Sequence, residues 1–221
     1  MELVKNEVIF NGLHISMPVS GIIRITDGNH DGSYMVSAKL RKSAPKVEGC
    51  RLVWGKIAIE PENAMALYLD GKLICADYAG ERIKHVELTT EEQELLIAEG
   101  HSIRNTEGDW AVEVLKALNP GDAIYGLGDK TGCLNKRHYA YENWCTDDPA
   151  PHVDCFQSLY KSINFFILSG ENGCCGILAD NTFRTAFDFG KENPDYLYFA
   201  HAGGALDYYM MPGRDIKEVL R

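Results

Sequence analysis

The sequence contains no apolar run that approaches the roughly 20 residues needed by a membrane-spanning helix. Its first residues also lack the basic stretch followed by an apolar one that marks a secretion signal. Positive charge is scarce, since 22 Lys and Arg stand against 32 Asp and Glu, which gives a net charge of −10 over 221 residues. An acidic surface repels phosphate groups. The sequence therefore predicts that neither nucleic acid nor a membrane is a partner.

The cysteines show no framework of pairs. There are seven, an odd number, and none forms a Cys-x-x-Cys motif. This pattern is typical of reduced thiols, and we expect a cytoplasmic protein. One irregular region does gather thiols, imidazoles and a carboxylate, at Cys133, His138, Cys145, His152, Asp154 and Cys155. Structural zinc sites usually hold cysteines two to four residues apart, so the irregular gaps argue against a bound metal.

Apolar alternation and β-branched runs dominate what the sequence does contain. They predict strands at residues 22–26, 64–69, 72–76, 111–118, 162–168, 174–179, 196–200 and 205–210. Asp70 and Gly71 separate two of these runs, and an Asp-Gly pair in that place predicts a tight hairpin because both residues tolerate positive φ.

Helical signals are few. Thr89 and Glu92 fit a capping box, and Asp215 and Glu218 fit another at the start of residues 215–221. The second helix has only about two turns, which is marginal in isolation, so we expect it to lead into an element beyond this chain. Glycine, at 21 residues, recurs at turns, as in a β-sandwich. With no repeat or linker visible, residues 1–221 are predicted to form one all-β domain.

Five short motifs follow one another in the second half of the chain. Residues 125–132 read YGLGDKTG, 144–147 read WCTD, 159–166 read LYKSINFF, 176–184 read GILADNTFR and 203–209 read GGALDYY. In this order and at this spacing they resemble the amino-terminal domain of glycoside hydrolase family 31, which has YGLGEKTG, WNTD, LYKSIPFF, GIFLDNTYR and GGLDYY. Asp129 stands where Glu is usual and Asn164 where Pro is usual, and Cys145 interrupts the WNTD stretch.

The resemblance implies a galactose-mutarotase-like supersandwich of antiparallel sheets, followed in such enzymes by a (β/α)8 barrel. The parent enzyme is then a retaining α-glucosidase that removes terminal α-linked glucose from oligosaccharides. Both catalytic aspartates belong to the barrel, and the W-x-D-M-N-E context of the nucleophile is absent from this sequence. We therefore expect no catalytic residue and no activity in this chain alone, and no cofactor, since the chemistry needs only paired carboxylates.

Three residues are the candidates for substrate contact. By the resemblance, Asp147 reaches into the barrel's pocket, where an ionised carboxylate makes strong hydrogen bonds to sugar hydroxyls. Trp144 and Tyr160 can stack on sugar rings. The plainer interpretations are a turn residue for Asp147 and loop packing for the two aromatics. Asp148 is assigned to the turn, because neighbours in an extended segment point in opposite directions and cannot form a catalytic pair.

Two charged residues of the same loop, Lys130 and Arg137, are expected to hold it in place by ion pairs or contacts with another domain, unless they are simply solvated. Cys174 and Cys175 lie in an apolar run and are interpreted as small buried side chains.

Other functions stay open at this point. A stand-alone aldose epimerase on a similar sandwich would need a general acid and base across a cleft, and a carbohydrate-binding module would need an exposed aromatic platform. Within the family, α-xylosidases and α-glucan lyases are alternatives to α-glucosidases. The partners implied are an α-glucoside and the chain's own barrel. Without the barrel an apolar face is exposed, so we also expect a homo-oligomer.

Overall fold

The computed structural model describes residues 2–4, 6–28, 43–62, 64–82, 110–147 and 158–221. The predicted helix near Thr89 and the residues Asp148, His152, Asp154 and Cys155 lie outside these ranges. In chain order the described elements are β1 (Glu2–Val4), β2 (Glu7–Phe10), β3 (Leu13–Val19), β4 (Ile22–Thr26), β5 (Lys46–Glu48), β6 (Arg51–Trp54), β7 (Ile57–Glu60), β8 (Ala66–Leu69), β9 (Lys72–Ala76), β10 (Val112–Ala117), β11 (Ala123–Gly128), β12 (Ala140–Asn143), β13 (Ser162–Gly170), β14 (Gly173–Ala179), β15 (Thr185–Asp188), β16 (Tyr196–His201), β17 (Asp207–Gly213) and α1 (Ile216–Val219).

The strands form three sheets. The largest has eight strands in the order β1-β2-β3-β4-β17-β14-β13-β11, the second has four in the order β10-β16-β15-β12, and the third has five in the order β5-β6-β7-β8-β9. Every strand pairing among them is antiparallel. The predicted all-β sandwich is confirmed.

The predicted hairpin between β8 and β9 has the expected geometry. Leu69 pairs with Lys72, which leaves a two-residue loop. Asp70 has a φ of 49° and Gly71 a φ of 79°. Positive φ at both positions is what a type I′ turn requires, because its twist matches that of the flanking strands.

The core between the eight-stranded and four-stranded sheets is aromatic. Phe166 of β13 lies 6.0 Å from Phe187 of β15 and 6.4 Å from Phe199 of β16, measured between ring centroids. Phe189 completes the group at 5.0 Å from Phe166. All four rings are fully buried, and each stabilises the fold by about 1.5–3 kcal/mol through removal of apolar surface from water. The two sheets therefore face each other across this cluster.

The five-stranded sheet shares the same core. Leu52, Ile59 and Leu67 are fully buried and belong to the same hydrophobic cluster as the phenylalanines. At the junction of the three sheets lies Lys116 of β10, which has no exposed surface. Its ammonium donates to Asp77, just after β9, and to the hydroxyl of Tyr208 in β17 at 3.1 Å.

The capping box predicted for helix α1 forms only in part. Asp215 accepts a hydrogen bond from the backbone N–H of Glu218 at 2.9 Å. The returning bond differs from the prediction, because Glu218 accepts from the backbone N–H of Arg214, at 2.8 Å, rather than from the cap residue. A Cβ on Gly176 would lie 2.6 Å from Val219, so the helix packs directly on the backbone of β14. In the described residues no helix is long and apolar enough to cross a membrane.

Candidate functional site

A bulge in β11 turns the following loop away from the sheet. The β11–β13 register shifts between Gly126 and Gly128, and Leu127 between them has a φ of 70°. Gly126 has a φ of 131°, and a Cβ there would lie 2.5 Å from the carbonyl oxygen of Phe165. A side chain at this position would collide with the backbone of β13, so the exit of the loop depends on glycine.

The first part of the loop that follows β11 is fixed by hydrogen bonds from the buried ammonium of Lys136. Lys136 is 6% exposed, and its ammonium donates to the carbonyl oxygens of Thr131 at 2.9 Å and Lys130 at 3.4 Å. The Tyr141 hydroxyl donates to the same carbonyl of Thr131 at 2.8 Å. The loop is therefore fixed through its backbone by side chains that the sequence pattern did not single out.

Arg137 also anchors the loop. Its guanidinium donates to the carbonyl oxygens of Asn119 at 2.7 Å and Pro194 at 3.1 Å. Among the described residues it holds the loop through backbone carbonyls, whereas the prediction named ion pairs or contacts with another domain.

Lys130 is partly buried, and its ammonium loses its proton more easily than that of a solvated lysine. Its ammonium lies 3.5 Å from the carbonyl oxygen of Glu142. Burial lowers the pKa of Lys130 to about 8, although attraction to nearby acidic groups, Asp129 and Glu142 among them, opposes that shift. An amine that titrates near neutral pH can donate hydrogen bonds in either protonation state.

Two chain segments are clamped together where the candidate residues lie. The Ser158 hydroxyl donates to the carbonyl oxygen of Trp144 at 2.6 Å, and the Thr146 hydroxyl donates to the same oxygen at 2.9 Å. The backbone N–H of Tyr160 donates to the carbonyl oxygen of Thr146 at 3.0 Å. The structure therefore joins the segment that carries Trp144 and Asp147 to the segment that carries Tyr160.

The three predicted contact residues all present side chains to solvent. Trp144 is 52% exposed and Tyr160 is 51% exposed. Asp147 is exposed and is the last described residue of its segment. Ile163 and Phe183 are also half-exposed, at 52% and 53%. Half-exposed apolar side chains beside an exposed carboxylate suit contact with a ligand that has both polar and apolar faces, or with another domain.

A polar network adjoins the clamped segments in the chain, and sequence reasoning missed it. The side-chain amide of Asn143 donates to the side-chain oxygen of Asn164 at 2.8 Å, and the amide of Asn164 donates to the carbonyl oxygen of Asn181 at 2.8 Å. Thr185 lies 3.4 Å from the Asn164 amide and 2.8 Å from the Nδ1 atom of His201. The signal that could have found it is Asn164, a polar residue between Ile163 and Phe165 in the apolar part of β13.

His201 ends this network without solvent contact. Its side chain is fully buried, and burial lowers the pKa of His201 to about 4. The imidazole is therefore neutral at physiological pH, and its Nδ1 atom forms a hydrogen bond with the Thr185 hydroxyl.

The structure describes only some of the thiols, imidazoles and carboxylates that the sequence gathers between Cys133 and Cys155. Within the described ranges, no three His, Cys, Asp or Glu side chains come close enough to hold a metal ion. His152, Asp154 and Cys155 lie outside those ranges, so the expectation that this region binds no metal stays a prediction.

Comparison with known proteins places this geometry in a family. The sequence model of the Glycosyl hydrolase 31 N-terminal galactose mutarotase-like domain matches residues 12–188, a range that includes both clamped segments. The chain belongs to this family. The resemblance seen in the sequence motifs is thus confirmed, together with the galactose-mutarotase-like sandwich.

Two curated relatives of this family 31 domain are similar over part of their sequence. Alpha-glucosidase 2 of Bacillus thermoamyloliquefaciens is 38% identical over 126 residues, which are 57% of this chain and 16% of that protein. Alpha-xylosidase XylQ of Lactiplantibacillus pentosus is 34% identical over 99 residues, which are 45% of this chain and 12% of that protein. The matched part of this chain therefore spans less than a fifth of either relative.

Solved structures agree on the fold. The family 31 dextranase FjDex31A of Flavobacterium johnsoniae, in complex with glucose, superposes with a TM-score of 0.73 at 27% identity, over 97% of this chain and 26% of that one. The alpha-1,4-glucan lyase of Gracilariopsis lemaneiformis has a TM-score of 0.63 at 12% identity, over 91% of this chain and 25% of that one. The second match, at low identity, supports the fold alone.

Proposed function

We propose that this chain is the amino-terminal sandwich of a retaining α-glucosidase, and that it completes the sugar pocket of a following barrel. The observation that carries the proposal is the clamped pair of segments, from which Trp144, Asp147 and Tyr160 are exposed, in a family 31 domain. The α-glucosidase among its curated relatives supports the choice of substrate.

Each residue has a distinct part in the proposal. Asp147 accepts hydrogen bonds from sugar hydroxyls, which an ionised carboxylate does more strongly than a neutral acceptor. Trp144 and Tyr160 offer aromatic faces to a sugar ring, and the tyrosine hydroxyl adds a polar contact. The barrel supplies the nucleophile and the general acid/base, which a retaining mechanism sets roughly 5 Å apart.

The isolated chain is then expected to be inactive, as one domain over residues 1–221 that lacks both catalytic carboxylates. The exposed Trp144, Ile163 and Phe183 cover the barrel-facing side, and without the barrel we expect them to drive self-association. The six cysteines within the described ranges are all free thiols, which supports the proposed cytoplasmic location.

The test compares the 221-residue chain with the protein in which it continues into a barrel, using p-nitrophenyl α-glucoside and p-nitrophenyl α-xyloside. The proposal predicts hydrolysis only by the longer protein, with a higher kcat/KM for the glucoside. The xylosidase among the relatives makes the opposite preference the second candidate. Anomer interconversion or tight sugar binding by the 221-residue chain alone would favour an epimerase or a binding module and contradict the proposal.

A further inference from the structure

A side-chain amide–amide hydrogen bond joins the two sheets next to the clamped segments. Asn143 ends β12 of the four-stranded sheet, and Asn164 lies in β13 of the eight-stranded sheet. The Asn143 amide donates to the Asn164 oxygen at 2.8 Å, while the Asn164 amide donates to the carbonyl oxygen of Asn181 at 2.8 Å. Asn164 thus receives a bond from one sheet and gives a bond to the loop after β14.

The position of this pair in the chain is as informative as its geometry. Asn143 immediately precedes Trp144, whose carbonyl oxygen accepts hydrogen bonds from both Ser158 and Thr146. A shift of Asn143 therefore also moves the backbone that these two hydroxyls hold. Asn164 lies a few residues after Tyr160, at the point where the second clamped segment enters β13. The pair therefore fixes where both segments leave the sandwich.

Asn164 lies where the pairing of β13 with its neighbours is irregular. The β11–β13 pairing jumps between Gly126 and Gly128, opposite Phe166 and Ser162, and the β13–β14 pairing begins at Phe165. Asn164 therefore stands outside both ladders. A proline at this position, as in the motif that this stretch resembles, could neither accept from Asn143 nor donate to Asn181.

Asn143 is also costly to bury. Asn143 is 5% exposed, and its side-chain oxygen is buried without a hydrogen-bond partner among the described residues. An unmatched buried acceptor destabilises a fold, so stability alone does not account for this residue.

We propose that Asn143 and Asn164 act together as positioning residues for the segments that carry Trp144, Asp147 and Tyr160, without touching the sugar themselves. This inference rests on the proposed function of those segments. It adds that their alignment depends on one amide–amide hydrogen bond between the two sheets. Misplacement of substrate-contacting groups by even 1 Å can cost on the order of a hundredfold in rate.

The experiment is a double-mutant cycle in the full-length protein with Asn143→Ala, Asn164→Ala and both together. Each single variant is expected to lower kcat/KM about tenfold, and the double variant to lose no more than Asn164→Ala alone, because the bond from Asn143 is already absent in that variant. Asn172→Ala is the matched control. That asparagine also donates to a backbone carbonyl, Leu73 at 3.2 Å, but lies in the β13–β14 turn, and its loss is expected to leave kcat/KM unchanged.

Hydrogen exchange of the Tyr160 amide gives a second readout that does not involve sugar. Because this N–H donates to Thr146 across the clamp, its exchange should accelerate at least tenfold in Asn143→Ala and Asn164→Ala but not in Asn172→Ala. Full protection in the single variants, or additive losses in the double variant, would overturn the positioning role. Faster exchange with unchanged kinetics would instead support the alignment and contradict the proposed contact of these segments with sugar.

Discussion

The buried ammonium of Lys116 donates a hydrogen bond to the hydroxyl of Tyr208 at 3.1 Å, and so joins an edge strand of one sheet to the centre of another. The same ammonium donates to Asp77, which leads out of the third sheet. Burial disfavours the charged form, but the attraction of Asp77 outweighs it and keeps the pKa of Lys116 well above its ordinary value. One cation therefore links all three sheets.

Removal of the carboxylate partner should destabilise the protein severely. Asp77→Ala leaves a fully buried ammonium without its countercharge, which is expected to cost about 3–5 kcal/mol of unfolding free energy. Lys116→Met, which removes the charge and keeps most of the volume, should cost less. Reversible urea denaturation measures both.

The exposed Lys46–Glu48 pair provides the control. Glu48→Gln should leave the urea midpoint unchanged, since exposed ion pairs contribute little. An Asp77→Ala variant as stable as the wild type would refute the junction assigned to Lys116.

Acid sensitivity should arise in part from His201. Burial lowers the pKa of His201 to about 4 in the folded protein, against about 6.5 in the unfolded chain. The unfolded state therefore binds the proton first, and the free energy of unfolding falls as pH drops from about 6.5 towards 4, by up to ~1.4 kcal/mol per pH unit.

His201→Gln, which can still exchange a hydrogen bond with Thr185, should flatten this part of the stability profile. Denaturation at pH 8 serves as the reference, because the imidazole is neutral there in both states. If the free energy of unfolding has the same slope against pH in wild type and variant between pH 6.5 and 5, the burial of His201 does not cause the loss of stability in that range.

The bulge in β11 should not tolerate a side chain. Gly126→Ala places a Cβ 2.5 Å from the carbonyl oxygen of Phe165 at a φ of 131°, and such strain costs roughly 1–3 kcal/mol. Gly55→Asn is the comparison, because Gly55 has a φ of 60° with nothing within 4 Å and asparagine adopts that region readily. Thermal unfolding should show a clear loss for the first variant and little for the second; equal losses would argue that strain at Gly126 is not special.

Much of the fold was predictable from local pattern. Strands β4 and β9 were predicted with the bounds that the structure has, and the Asp70-Gly71 turn follows from its chemistry alone. Strands β12 and β15 were not predicted, because short strands in the middle of motif-rich loops carry too few alternating residues to stand out. Their existence depends on pairing with each other and with β16, which is a long-range property.

The candidate site divides in the same way. Trp144, Asp147 and Tyr160 were found because they lie in recognisable motifs, and the structure brings their segments together. The residues that join them, Asn143 and Asn164, could not be paired from sequence, since their contact crosses between two sheets. Lys136 was missed for a related reason, because a lysine in a loop is ordinarily solvated and only the folded structure shows that it is buried.

Substitution of Asp147 tests the central claim most directly. In the protein that includes the barrel, Asp147→Asn should lower kcat/KM for an α-glucoside roughly 10- to 100-fold, because a hydrogen bond to a charged group is worth about 1.5–3 kcal/mol. Asp70→Asn is the matched control, since Asp70 is an exposed turn residue with a φ of 49° that asparagine tolerates, and kcat/KM should be unchanged. A loss confined to Asp147→Asn would support a role for this carboxylate in the sugar pocket. A kcat/KM of the Asp147→Asn enzyme within twofold of the wild type would contradict it.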